Sequence, residues 1–182
     1  MIIIAYGANL DSRYGNPAQT FDAVLKEFKH HGLVVVAQSS LYDTSPVGTS
    51  NDQPSYTNAV MAVDTDLPPH DLLKTLLDIE ARLGRERTYQ NAPRPVDLDI
   101  IDYHGQIINN DPDLILPHPR MQDRKFVLVP LRDICPEWAH PVLGDDIDDL
   151  IASTPADQII KKIKGDSRKD TEDSQRAQCN NL

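Results

Sequence analysis

Asp97 and Asp99 lie two positions apart in Val96-Asp97-Leu98-Asp99-Ile100-Ile101, where apolar residues fill the alternate places. Side chains alternate across a strand, so both carboxylates leave one face. Val96, Leu98 and Ile100 leave the other, toward a core. Neighbouring carboxylates repel each other unless a cation sits between them. Mg²⁺ suits hard oxygen ligands and shares its shell with phosphates. Two such ions, about 3.5–4 Å apart, clamp an in-line transfer. Alone, D-x-D more often marks a solvated strand face than a metal site. The residues before it shift that balance. Arg82, Arg85, Arg87 and Arg94 fall within thirteen positions, opposed only by Glu86. Guanidinium forks match phosphate oxygens, and aspartates for metal beside arginines for phosphate describe a nucleoside-triphosphate site. Arg82 and Arg85 are also placed to pair with acids at a helix end. Arg94, held between Pro93 and Pro95 beside the carboxylates, suits that role less. The polar, aperiodic stretch 85–93 is expected to be a lid over ATP, the alternative being an ordinary surface loop. No Walker-type glycine cradle is present, since Gly7-Ala8-Asn9 is too short for one.

These residues need elements to hold them. Met1–Tyr6 is short, apolar and β-branched, and reads as a buried strand. Phe21, Val24, Leu25 and Phe28 recur at helical spacing between Pro17 and His31, and Gly32 ends the pattern. Leu33–Leu41 reads as a strand, Asp43–Ser55 as a loop of turn formers, and Asn58–Asp64 as a third strand. Pro68 and Pro69 open a helix carrying a leucine stripe to Leu83, with Gly84 as its cap. The carboxylate strand follows over Val96–Tyr103, with a short partner at Gln106–Ile108. Pro112–Arg120 reads as irregular, Phe126–Ile134 as a helix or buried segment, and Ile147–Ser153 as a short helix. The order through Tyr103 is β-α-β-β-α-β. This is an α+β pattern of ferredoxin-like type, with helices on one face of an antiparallel sheet. A helix is also expected over Gln158–Ile163. The domain is expected to span residues 1–155, with a polar, flexible tail over 156–182.

Composition bounds the function. The chain has 182 residues and a formal net charge of −10. Residues 156–182 hold six basic and five acidic residues, so the acidity sits in the body. An acidic body repels nucleic-acid backbones, and a local arginine cluster inside it stands out. Hydrophobic residues make up 40% of the chain, and no run approaches the roughly 18 apolar residues of a membrane span. No basic leader with a cleavage site is read at the start, so a cytoplasmic location is expected. Cys135 and Cys179 are far apart and are expected as free thiols, the alternative being a disulfide between the domain and its tail. The protein is expected to act as a monomer on small molecules, away from nucleic acid and membrane.

Asn91-Ala92-Pro93-Arg94-Pro95-Val96-Asp97-Leu98-Asp99-Ile100-Ile101 resembles the signature of the 6-hydroxymethyl-7,8-dihydropterin pyrophosphokinases of folate synthesis. Further pieces follow in the family's order. They are Gly7-Ala8-Asn9-Leu10, the run from Ser40 to Gly48, and the run from Asp52 to Asn58. Then come Ile79-Glu80, Leu83 to Arg87, Leu116-Pro117-His118-Pro119, and Arg124 to Leu128. The resemblance covers about residues 1–155. It implies a ferredoxin-like fold and a diphosphate transfer from ATP to the pterin alcohol, releasing AMP. It implies two Mg²⁺ on Asp97 and Asp99. Arg85, Arg94, His118 and Arg124 would contact the triphosphate, with Arg87 and Glu80 nearby, and Ile100 would border the adenine. Tyr56 and Phe126 would sandwich the pterin, Asn58 would bond its edge, and the backbone at Thr44 and Val47 would read the rest. Asn91 stands where some members carry a bulky aromatic residue, Lys125 where some carry glycine, and Ala8 where serine is common. Two rival functions use the same fold: another D-x-D metal-dependent nucleotidyl transferase, and a non-catalytic sensor of a small ligand.

Overall fold

A computed structural model describes residues 1–47, 53–86, 89 and 92–164. The elements run β1 (Ile2–Ala8), α1 (Pro17–His30), β2 (Val34–Gln38), β3 (Tyr42–Thr44), β4 (Tyr56–Asp64) and α2 (Pro69–Arg82). They continue with β5 (Asp97–Tyr103), α3 (Lys125–Ile134), α4 (Ile147–Ser153) and β6 (Ile160–Lys162). All the strand pairings are antiparallel, in the order β5-β1-β4-β3-β6, with β2 also on β4.

Local chemistry explains the expected helices. Asn16 and Gln19 form a reciprocal capping box at the start of α1, with Asn16 Oδ1 accepting from Gln19 N at 3.1 Å. Pro69 occupies the first turn of α2, where a missing N–H costs nothing. The apolar stripes of both helices, Phe21, Val24 and Phe28 with Leu72, Leu76 and Ile79, pack in one core with Ile2, Ile4, Tyr6, Leu98 and Ile100.

The helices are not confined to one face. A second core joins Ile3, Val60, Ala62 and Ile101 to Val127, Leu128, Leu131 and Ile134 of α3 and to Ile147 and Leu150 of α4. The reason lies in β4, where every residue from Asn58 to Val63 is buried. A strand apolar on both sides needs cover on both sides. α3 begins only at Lys125, so the end of the sheet that carries Asp97 and Asp99 is left open on this face.

Three local expectations change. The single strand over Leu33–Leu41 divides into β2 and β3, which meet successive parts of β4. Between them Ser39 bonds Val60 through its backbone N–H (2.9 Å) and accepts from Val60 N through Oγ (3.0 Å). The helix expected over Gln158–Ile163 is instead β6. It is too short and polar to show a period, and the open edge of β3 holds it, with Thr44 opposite Ile160 and Tyr42 opposite Lys162. Cys135 is not a free thiol: it is disulfide-bonded, and the chain's other cysteine, Cys179, lies outside the described residues. Among the described residues no helix is long and apolar enough to cross a membrane.

Candidate active site

One cavity of about 310 Å³ opens on the uncovered end of the sheet. That volume falls in the range of small-molecule sites. Of the residues singled out in the sequence, Thr44, Val47, Tyr56, Asn58, Arg94, Asp97, Asp99, Arg124 and Phe126 line it. Strand register explains the gathering. Gly7 pairs with Asp97 on one side and Asn58 on the other, so three strands present these side chains together. The fit there is close: a Cβ on Gly7 would stand 3.0 Å from Asn58 Oδ1 and press on that side chain.

The charged end is built around Asp97. Arg85 Nη1 bonds Asp97 Oδ1, and Arg94 Nη2 meets Asp97 Oδ2 at 2.5 Å. Behind them Glu80 is 2% exposed. Its Oε1 accepts from Arg85 Nη1 (2.5 Å) and from Leu98 N (2.7 Å), tying α2 to β5. Burial works against the Arg85 charge, but Asp97 and Glu80 outweigh it and raise the guanidinium's pKa. Asp99 keeps 41% of its side-chain surface, and its nearest cation is Arg124 at 3.7 Å. Enclosure by the protein, followed by the neighbouring Asp97, pushes the Asp99 carboxyl up to about 6. Arg94 Nε is buried without a hydrogen-bond partner, a donor turned to no protein acceptor among the described residues.

His118 stands beside Arg124. Burial, then the charges of Arg124 and Arg120, push its pKa down to about 4, so the ring is neutral at pH 7. Its Nδ1 accepts from Arg120 N at 3.1 Å. A neutral ring carries one N–H, which then sits on Nε2. The 3.4 Å approach of Arg124 Nη1 to Nε2 is therefore a donor-to-donor contact and not a hydrogen bond.

The aromatic end is held by side-chain hydrogen bonds and by positions on β4 and α3. Tyr56 opens β4, and its hydroxyl donates to Gln53 Oε1 at 3.0 Å. Asn58 Nδ2 donates to Thr44 Oγ1 at 2.7 Å. Phe126 lies in the first turn of α3. An arginine covers each ring, Arg94 over Tyr56 at 5.4 Å and Arg124 over Phe126 at 5.5 Å.

Some expected residues stand outside the lining. Arg85 and Glu80 form the layer behind Asp97, His118 stands behind Arg124 and Arg120, and Ile100 is in the core at 4% exposure. Arg87 lies outside the described residues. So do Thr88, Gln90 and Asn91, which with Arg87 make four of the nine residues of the lid expected over 85–93. Arg120, Asp123 and Ser45 line the cavity without having been singled out. Asn9 was quoted only as part of a motif. It joins two loops, since its Oδ1 accepts from Arg94 N (2.9 Å) and its Nδ2 donates to Gln53 Oε1 (3.3 Å). For Arg120 the available signal was its place two residues after His118.

The donor set suits Mg²⁺ carried by a nucleotide. Among the described residues no group of three or more acidic, histidine or cysteine side chains could hold a metal alone. Two carboxylates with room for phosphate oxygens and water are what Mg²⁺ takes in such sites.

Comparison with known proteins agrees with this geometry. Residues 3–136 match the family model for 7,8-dihydro-6-hydroxymethylpterin-pyrophosphokinase (HPPK). A 2-amino-4-hydroxy-6-hydroxymethyldihydropteridine pyrophosphokinase of Pseudomonas aeruginosa is 38% identical over 87% of this chain and 94% of its own. A folic acid synthesis protein of Dictyostelium discoideum is 41% identical over 90% of this chain, but this covers 26% of its own length. The chain thus spans about a quarter or less of several curated relatives it matches. A crystal structure of Plasmodium falciparum HPPK-DHPS superposes with a TM-score of 0.66 at 16% identity, covering 83% of this chain and 44% of that one. That likeness speaks for the fold, while the matched family model and the Pseudomonas relative speak for descent. Paired aspartates on a ferredoxin-like sheet, ringed by arginines and facing two aromatic rings, sit in a chain that belongs to the 7,8-dihydro-6-hydroxymethylpterin-pyrophosphokinase family.

Proposed function

We propose that this chain transfers a diphosphate from ATP to 6-hydroxymethyl-7,8-dihydropterin, giving AMP and the pterin diphosphate, in folate biosynthesis. The observation that carries the reading is the division of one cavity into a charged end at Asp97 and Asp99 and an aromatic end at Tyr56 and Phe126. A flat heteroaromatic ring fits between two rings, and the Asn58 amide suits its polar edge. The triphosphate belongs at the other end. There Arg94 and Arg124 offer their guanidinium groups and His118 its neutral Nε2–H. Glu80 sets the position of Arg85. Asp97 and Asp99 would hold two Mg²⁺, which neutralise phosphate charge during the transfer.

The pterin hydroxyl oxygen attacks the β-phosphorus, and the bond to the oxygen bridging the α- and β-phosphates breaks. AMP leaves with that oxygen, and the hydroxyl proton passes to solvent. The chain's own contribution is to align the two substrates and place fixed positive charge around the transferring group. The catalytic unit is the expected domain over residues 1–155, extended by the strand β6. The chain is proposed to act as a monomer. Calorimetry of ATP binding with Mg²⁺ and with a chelator tests the reading. Binding that collapses on chelation is expected. Binding indifferent to the metal would favour a small-ligand sensor.

A further inference from the structure

The segment after residue 155 makes an unusual set of contacts for a tail. Gln158 is 8% exposed although its neighbour Ile159 is 58% exposed. The Gln158 side chain reaches the entrance of α3 with both ends of its amide. Oε1 accepts from Lys125 N at 2.8 Å, and Nε2 donates to Asp123 O at 2.7 Å. Arg124 is the residue between those two anchored peptide groups, and Phe126 is the next one on. The helix has no side-chain cap of its own at Arg124. The first N–H groups of a helix have no partner within it, so Gln158 acts as a cap supplied from 33 residues away.

Ile159, the next residue, bonds the opposite wall. Ser45 N donates to Ile159 O at 3.1 Å, and Ile159 N donates to Ser45 Oγ at 3.2 Å. Ser45 and Thr44 line the cavity on that side, and Arg124 and Phe126 line it on the other. Neither Gln158 nor Ile159 lines the cavity itself. Two successive residues thus fasten the wall from β3 to the wall from α3. Both lie beyond residue 136, where the match to the family model ends.

We propose that Gln158 is a positioning residue, and that the Gln158–Ile159 step is a brace fixing the spacing between the two walls that grip the substrates. It acts through Arg124 and Phe126 and touches no reacting atom. This inference rests on the function proposed above. Gln158→Leu removes both hydrogen bonds and puts an apolar side chain of similar size in the buried position. Gln158→Glu keeps the acceptor for Lys125 N and loses the donor to Asp123 O.

The test measures dissociation constants for a non-hydrolysable ATP analogue with Mg²⁺ and for the hydroxymethyl pterin. KM and kcat are measured alongside, each per folded molecule. In Gln158→Leu both dissociation constants and both KM values are expected to rise about tenfold, equivalent to about 1.4 kcal/mol. The kcat is expected to stay within about threefold, because saturating ligands re-seat Arg124 and Phe126. Gln158→Glu is expected to fall between wild type and Gln158→Leu, and it carries the comparison if Gln158→Leu does not fold. A purely structural role predicts a lower folded fraction with unchanged constants per folded molecule, and that result overturns the brace. Wild-type protein that binds neither ligand overturns the proposed function instead, and the brace with it.

Discussion

The two ends of the cavity are held in opposite ways. At the aromatic end the anchors are uncharged and sit on regular elements: Tyr56 on β4, Phe126 at the head of α3, and Asn58 bonded to Thr44. At the charged end every position depends on another charge. Asp97 holds both Arg85 and Arg94, and Glu80 steadies Arg85 from behind. Under the proposed function, the arginines that would meet phosphate lie on the carboxylate that would hold metal. A metal-bearing triphosphate would then have to exchange partners at the charged end, whereas a ring would enter the aromatic end without breaking an ion pair. The stacking of Arg94 over Tyr56 and of Arg124 over Phe126 joins the two ends.

The largest expected effect breaks the charged end alone. Asp97→Ala should lower kcat by roughly 10³-fold or more, the scale of losing a group that organises transition-state charge, with the circular dichroism spectrum unchanged. Near-normal turnover in that variant would remove Asp97 from the chemistry. Next comes the aromatic end. Tyr56→Ala or Phe126→Ala should weaken pterin binding by roughly 10- to 100-fold, from about 1–3 kcal/mol of stacking. Calorimetry should show ATP affinity changed by less than about threefold. Equal losses for both ligands would mean that the arginine stacks fuse the two ends into one unit.

A smaller effect is expected behind the site. Glu80→Gln keeps the volume but removes the charge facing Arg85, and should cost about 1–3 kcal/mol of stability. It should appear as a lower denaturant midpoint at unchanged slope. The smallest effect concerns Asp99. Its folded pKa of about 6 lies above its ordinary 3.8, so the metal-free fold holds that proton more tightly than the unfolded chain does. The stabilisation is complete below about pH 3.8 and is lost as pH rises through about 6. Asp99→Asn should flatten that part of the stability profile. Mg²⁺ affinity should fall as pH drops below about 6, where the proton competes for the carboxylate.

Much of this was legible in the sequence because it depends on local period. Alternation in β5 puts Asp97 and Asp99 on one face, and Val96, Leu98 and Ile100 are only 0%, 2% and 4% exposed, as that alternation requires. The leucine stripe of α2 and the capping box of α1 are equally local. The second layer of helices was harder to see. Its signal is the unbroken buried run from Asn58 to Val63, which has no strand alternation to read. β6 was misread because three residues held by a neighbouring edge carry no pattern of their own. At the site, family resemblance supplied the roles of Tyr56 and Phe126, which composition alone would assign to a core. Asn9, Asp123 and Gln158 are tied to the site by contacts between distant segments. Gln158 bonds backbone 35 residues away, and Asn9 reaches Arg94 across 85. No spacing rule reaches that far.

The central claim is the kind of group transferred, and product analysis tests it most directly. The protein is incubated with ATP, Mg²⁺ and 6-hydroxymethyl-7,8-dihydropterin, and the nucleotide products are resolved. Release of AMP in step with pterin diphosphate is the result this account predicts. Release of inorganic diphosphate with a nucleotidylated acceptor, or no turnover of ATP, would contradict it.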